Sequence, residues 1–178
     1  YTIDTILFHI INRGLSNPLF DFIMPFFHHE KYLVPIVILL FLITIIYDKP
    51  NRLKLLFLIP IAIILVDQTG LFIKNFFLRP RPWVTLESTI IHLLVTPHGA
   101  NLSFPSNHAA NSAVLATIFS AIYYNVRFIF WGIAITVMLS RVYIGVHYPI
   151  DILFGCILGA IYGVLLIKAW GYFNKLLK

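Results

Sequence analysis

Long apolar runs, each bounded by single charges, divide the chain. Residues 32–47 carry no charge and lie between Lys31 and Asp48, and residues 53–77 are apolar apart from Lys54, Asp67 and Lys74. Residues 106–124, 128–144 and 150–170 repeat the pattern, with only a short turn at 125–127 between the first two. An α-helix needs roughly 20 apolar residues to cross hydrocarbon, so these five runs are expected to be membrane spans. Residues 78–105, with Pro97, Gly99 and Asn101, read as a loop containing a short helix. The first 27 residues mix Asp4, Asn12, Arg13, Asn17, Pro18 and Asp21 with Ile, Leu and Phe. That mixture predicts one or two amphipathic helices lying in the interface, a sixth span being the alternative. The expected fold is all-α, an integral-membrane helical bundle of five (alternatively six) transmembrane helices with N-terminal interfacial helices, in one domain over 1–178.

Composition removes the soluble alternatives. Of 178 residues, 60% are hydrophobic and 11% charged, against about 25% charged in a soluble domain. Disorder, collagen and coiled coil fall with the same figures. The net charge of +6 would suggest nucleic acid in a soluble protein, but here it fits Lys and Arg flanking spans beside anionic headgroups. The bilayer, and no nucleic acid, is the expected partner. Lys49, Arg52, Lys54, Arg127, Lys168, Lys175 and Lys178 fall on one face of a five-span chain, opposed only by Asp48. By the positive-inside rule that face is cytoplasmic. Cys156 stands alone in an apolar run and no separable signal peptide is visible. Tyr47, Trp83, Tyr123, Tyr124, Trp131, Tyr143, Tyr148, Trp170 and Tyr172 gather near span ends as an aromatic belt. Gly155, Gly159 and Gly163 form a small-residue stripe, expected to pack within the chain against Ala109, Ala110 and Ala113.

Charges at span ends are costly, about 2.5–3.5 kcal/mol each at mid-span on insertion scales, and three groups of them invite chemistry. Lys74 and Arg81 are two helical turns apart, with Pro80 and Pro82 stopping the helix. Pro105-Ser106-Asn107-His108 opens an apolar helix, and Ser106 is a good N-cap. A helix start offers free N–H groups and a positive dipole end, which suit phosphate. Ser140-Arg141 precedes His147 and Asp151, whose spacing of four lets a carboxylate hold one imidazole nitrogen and leave the other as nucleophile or base. Alone, each group reads as snorkelling cations or a capped helix. In the five-span topology all three fall on one membrane face, which snorkelling does not explain.

Lys74-x6-Arg81-Pro82, Pro105-Ser106-x-His108 and Ser140-Arg141-x5-His147-x3-Asp151 resemble the three signature motifs of the type-2 phosphatidic-acid phosphatase superfamily. They run from position 74 to 151, in order, and Asn107 stands where the commonest family form has glycine. The resemblance implies that His147 attacks phosphorus to give a phosphohistidine, that Asp151 orients it, and that His108 protonates the leaving oxygen. Lys74, Arg81 and Arg141 would bind the phosphate oxygens, with Ser106 and the backbone at Asn107 and His108 assisting. Three cations can stabilise a phosphoryl transition state by position and charge, and no residue cluster has metal-ligand spacing, so neither metal nor cofactor is expected.

The remaining candidates are weaker. Arg79 is expected on the rim of the site, Asp67 to take a structural partner, His28-His29 to be interfacial, and Trp83 and Glu87 to lie in the loop over the site. His9, His92 and His98 show no partner spacing. The expected activity is removal of phosphate from a membrane lipid phosphate or pyrophosphate: lipid A 1-phosphate (weakly preferred), phosphatidylglycerol phosphate or undecaprenyl pyrophosphate. The expected setting is the periplasmic face of a bacterial inner membrane, with a monomer favoured. The rivals are a lipid phosphotransferase using the same site and a small non-enzymatic transporter. The soluble haloperoxidases that share the motif residues are disfavoured by composition.

Overall fold

The computed structural model describes residues 2–87, 89–96 and 101–176, with the backbone alone at positions 30, 32 and 33. The chain folds into helices α1 (Ile3–His9), α2 (Pro18–Ile23), α3 (Glu30–Tyr47), α4 (Arg52–Phe77), α5 (Pro82–Thr85), α6 (Asn107–Ile122), α7 (Arg127–Tyr143) and α8 (Pro149–Leu176). A π turn follows α1, and 3-10 turns precede α3 and α7. Among the described residues there is no strand, only one bridge between Pro80 and Leu102.

Local chemistry sets the ends that matter. α4 stops because Leu78 turns left-handed (φ 49°) and Pro80 and Pro82 cannot continue a helix. Ser106 caps α6, its hydroxyl accepting from the Ala109 N–H at 3.4 Å. Pro149 occupies the first turn of α8, where its missing N–H costs nothing. Gly145, at φ 84°, reverses the chain between α7 and α8 in a region most side chains avoid.

α6 is the central helix. Its Ala110, Val114 and Ile118 pack on Leu55, Leu58, Ala62 and Val66 of α4. Its Ala109, Ala113 and Ala116 pack on Ala134 and Met138 of α7 and Ile152 of α8. Against α8 the approach is closest: a Cβ at Gly155 would lie 2.5 Å from the Ser106 carbonyl oxygen, one at Gly159 2.1 Å from that of Ala110, and one at Gly163 2.7 Å from Thr117 Cβ. The glycine stripe therefore serves packing inside the chain, against Ala109 and Ala110 as expected, with Thr117 rather than Ala113 against Gly163.

The burial pattern is inverted relative to a soluble protein. Leu153, Ile157, Ile161 and Leu165 on α8 are exposed, whereas Arg141, Asp151 and Asn12 are fully buried. Lipid suits the first set, and only a bonded polar interior suits the second. Three helices among the described residues are long and apolar enough to cross a membrane: Arg52–Phe77, Tyr124–Tyr143 and Pro149–Leu176. They correspond to the runs expected at 53–77, 128–144 and 150–170, and α8 continues past the expected end. The runs at 32–47 and 106–124 are helical too, but shorter. The 16 residues of α6 cover about 24 Å, less than the roughly 30 Å of hydrocarbon.

The N-terminal region holds α1 and α2, of 7 and 6 residues, neither long enough to cross. They are not simply laid against the bundle. Phe8 enters the core and packs on the Tyr148 ring at 5.4 Å. The Asn12 amide donates to the carbonyls of Tyr143 (2.7 Å) and His92 (2.8 Å) and accepts from His92 N–H at 2.8 Å. Asp21 accepts from Tyr143 Oη at 2.5 Å. Of the polar side chains that looked interfacial, Asn12 satisfies backbone groups and Asp21 the Tyr143 hydroxyl, where α7 ends.

Candidate active site

Three segments meet at one end of the bundle. Lys74, in the last turn of α4, donates through Nζ to the Pro105 carbonyl just before α6. The Ser106 N–H donates to the Asp151 carbonyl at 3.0 Å, joining the starts of α6 and α8. Arg79 Nη1 donates to Asp151 Oδ1 at 2.7 Å. All three sequence motifs are thus brought together.

His147 is almost wholly buried, at 3% exposure. Its N–H and that of Val146 both donate to the Arg141 carbonyl, at 3.2 and 3.1 Å, so one oxygen of α7 fixes the loop that presents the ring. Nδ1 lies 3.5 Å from Asp151 Oδ2, close enough for charge to matter but long for a hydrogen bond. Nε2 lies on the opposite side of the ring. Burial pushes the imidazole down to about 4, against the upward pull of Asp151, so the ring is neutral at ordinary pH. The Asp151 carboxylate is itself held: Oδ2 accepts from Tyr148 N–H at 2.8 Å, in the manner of a helix-start cap.

The loop depends on Gly145. An added Cβ would meet the His92 carbonyl, Ile91 and Leu93, all at 3.3 Å, in a left-handed backbone. Gly145→Ala is expected to cost about 1–2 kcal/mol and to lower activity by displacing His147. Thermal melting and turnover of the purified variant check both.

His108 stands in the first turn of α6, within electrostatic reach of Arg141, His147, His28 and Arg81. Lys74 is likewise within reach of Arg81 and Asp151. Arg81 donates through Nε to the Leu102 carbonyl at 3.2 Å and lies 4.8 Å over the Trp83 ring, and burial lowers its pKa from the usual arginine value. Arg141 is fully buried; its Nε donates to Ser140 Oγ at 3.3 Å, and Nη1 lies 3.0 Å from His28 Nδ1. A guanidinium can only donate, so His28 Nδ1 accepts and carries no proton.

Some expectations shift. His28 is part of the site rather than merely interfacial, because the turn after α2 lays it on Arg141. Arg79 is no rim cation: it bridges Asp151 and Asp4 (Nη2–Oδ2 2.5 Å) and lies 4.4 Å over the Tyr148 ring. Burial disfavours its charge, but bonding to Asp4 and the fields of both carboxylates raise its pKa above the usual value. The Asn107 side chain is taken up by α4. Its Nδ2 donates to Asp67 Oδ1 at 2.9 Å, beside Asn111 Nδ2 at 3.0 Å, and Gly70 leaves room for it. Asp67 thus has a structural partner as expected, in amides rather than a cation. Glu87 is exposed, with Thr89 as its partner. His92 has a partner after all, Asp21 Oδ1 at 2.8 Å. His98 lies outside the described residues. Among the described residues no three His, Cys, Asp or Glu side chains form a metal-binding group.

Asp4 was missed altogether. It is 5% exposed, and its Oδ1 accepts from the Ile150 N–H at 2.9 Å. The one signal in sequence was an acid among apolar residues, which alone names no partner.

A buried and a half-buried imidazole beside several cations, gathered at one end of an apolar helical bundle, make a site suited to an anion at a membrane. The chain belongs to the PAP2 superfamily, whose model matches residues 52–175. It is 32% identical to the lipid A 4'-phosphatase of Porphyromonas gingivalis, covering 93% of this chain and 72% of that protein. It is 30% identical to the undecaprenyl-diphosphatase BcrC of Bacillus subtilis, covering 88% and 79%. The crystal structure of Aquifex aeolicus LpxE superposes with a TM-score of 0.78 at 30% identity, covering 94% of this chain and 96% of that one.

Proposed function

We propose that this protein hydrolyses the phosphate of a membrane lipid, with lipid A phosphate the first substrate to test and undecaprenyl diphosphate and phosphatidylglycerol phosphate next. The observation that carries the proposal is the convergence of His147, His108, Lys74, Arg81 and Arg141 at one end of the bundle. Similarity to a lipid A 4'-phosphatase and an undecaprenyl-diphosphatase supports a lipid as the carrier of the phosphate. In this reading residues 1–178 form one domain of five spans, with the site facing the periplasm because the basic loops lie at the other end. The lipid enters sideways from the leaflet.

Neutral His147 attacks phosphorus through Nε2, and the bond to the lipid oxygen breaks. Protonated His108 gives that oxygen its proton. Now neutral, His108 takes a proton from water, the hydroxyl attacks the phosphohistidine, and inorganic phosphate leaves with His147 restored. Lys74, Arg81 and Arg141, with the Ser106 hydroxyl and the first N–H groups of α6, hold the phosphate oxygens where charge builds up. No step needs a metal.

The test is phosphate release by the purified protein from each of the three lipids, with chelator and vanadate added separately. Turnover that survives chelator and is blocked by vanadate is the expected result. Loss of turnover with chelator overturns the metal-free mechanism, and no release from any lipid overturns the phosphatase reading. The neutral nucleophile adds a pH prediction. Because free His147 takes up its proton only near pH 4, the acid limb it imposes on kcat/KM lies there rather than near the usual histidine value. A pH profile of kcat/KM checks it.

A further inference from the structure

The arrangement around Arg79 carries more than the mechanism above uses. Asp4, from the first turn of α1, reaches the start of α8 across 146 positions of sequence and accepts from the Ile150 N–H. Its other oxygen takes one prong of Arg79, whose second prong takes Asp151 Oδ1. Asp151 Oδ2 in turn lies 3.5 Å from His147 Nδ1. A line of alternating charge thus runs from Asp4 through Arg79 and Asp151 to His147. Asp4 and Asp151 are buried at 5% and 0% exposure, so solvent screens these charges little.

We propose that Asp4 is a positioning residue for the nucleophile: by sharing Arg79 it limits how far the guanidinium offsets the Asp151 charge and keeps that carboxylate aimed at His147. The inference rests on the phosphatase reading. Without Asp4, the whole guanidinium is left to Asp151. Its charge is then more fully neutralised, and both prongs compete with Tyr148 N–H and the imidazole for its oxygens. The imidazole becomes positive as it is phosphorylated, so a weakened Asp151 raises the barrier to that step. Asp4 touches no phosphate oxygen in this scheme, so substrate binding is unaffected. The signature is therefore a fall in kcat with KM preserved.

Asp4→Asn isolates the effect, because the amide oxygen can still accept from Ile150 N–H while the charge is gone. We measure phosphate release from the lipid that wild type turns over best, with melting temperature recorded for each protein. Asp4→Asn should lower kcat ten- to a hundredfold with KM within twofold, and Asp4→Glu should recover part of it. In an Arg79→Gln background Asp4→Asn should cost no more than twofold further, since Asp4 acts only through Arg79. Arg79→Lys, which keeps a charge but loses the fork, should lower kcat as well, and it supplies the test should Asp4→Asn fail to fold. An active wild type whose folded Asp4→Asn retains kcat, or whose Arg79→Lys does so, overturns the role of Asp4. A wild type inactive on every lipid phosphate overturns the phosphatase reading instead.

Discussion

His147→Ala is expected to lower phosphate release by about ten-thousandfold or more, the scale seen when a covalent nucleophile is deleted. The ring is buried and its loop is anchored to the Arg141 carbonyl and turned by Gly145, so a smaller side chain leaves a gap that no neighbour can fill with an equivalent nitrogen. The cations remain, and vanadate or substrate should still bind. His108→Ala is expected to lose about a hundred- to ten-thousandfold, the usual worth of a positioned acid–base group. The two losses should separate on an aryl phosphate whose leaving group needs no proton. There His108→Ala should recover formation of the phosphoenzyme, and His147→Ala should not. Trapping of acid-labile phosphate on the protein reads this directly, and a phosphoenzyme in His147→Ala would refute the assignment.

The second large effect is structural. Gly159→Ala puts a methyl group 2.1 Å from the Ala110 carbonyl oxygen, a backbone atom that cannot turn aside. Helices α6 and α8 must separate, at a cost of about 3 kcal/mol, the upper end for overpacking. Their starts carry His108 and Asp151, so activity should fall with stability. Gly132→Ala is the control, since nothing lies within 4 Å of its Cβ; there alanine should be neutral or slightly stabilising. Melting temperature in one detergent for both variants decides it. Equal melting points would mean that the α6–α8 contact is looser than described.

Much of this was legible because the informative signals are local. An apolar run bounded by charges marks a helix wherever it folds, and Ser106 caps α6 because a hydroxyl before a helix finds the third N–H regardless of context. The motif residues at 74, 81, 105–108 and 140–151 carried their spacing with them. The illegible residues lack that property. Asp4, Asn12 and His28 find their partners at positions 79 and 150, 92 and 143, and 141 respectively. No period or spacing in the first 28 residues encodes those distances. Arg79 looked like a rim cation because helical geometry turns it away from Lys74, but the helix ends at Phe77, and beyond that point the angle no longer applies. His92 seemed partnerless for the same reason: Asp21 is 71 positions away.

The order of synthesis gives the N-terminal clamp a temporal meaning. Residues 2–28 leave the ribosome before Tyr143, Ile150 and Asp151 exist, so their contacts with those residues form only once the later helices have been made. Asp4 cannot settle on the α8 start, nor His28 on Arg141, until the last hairpin is in place. The contacts that join Asp4 to the α8 start and His28 to Arg141 are therefore the last of the site to form.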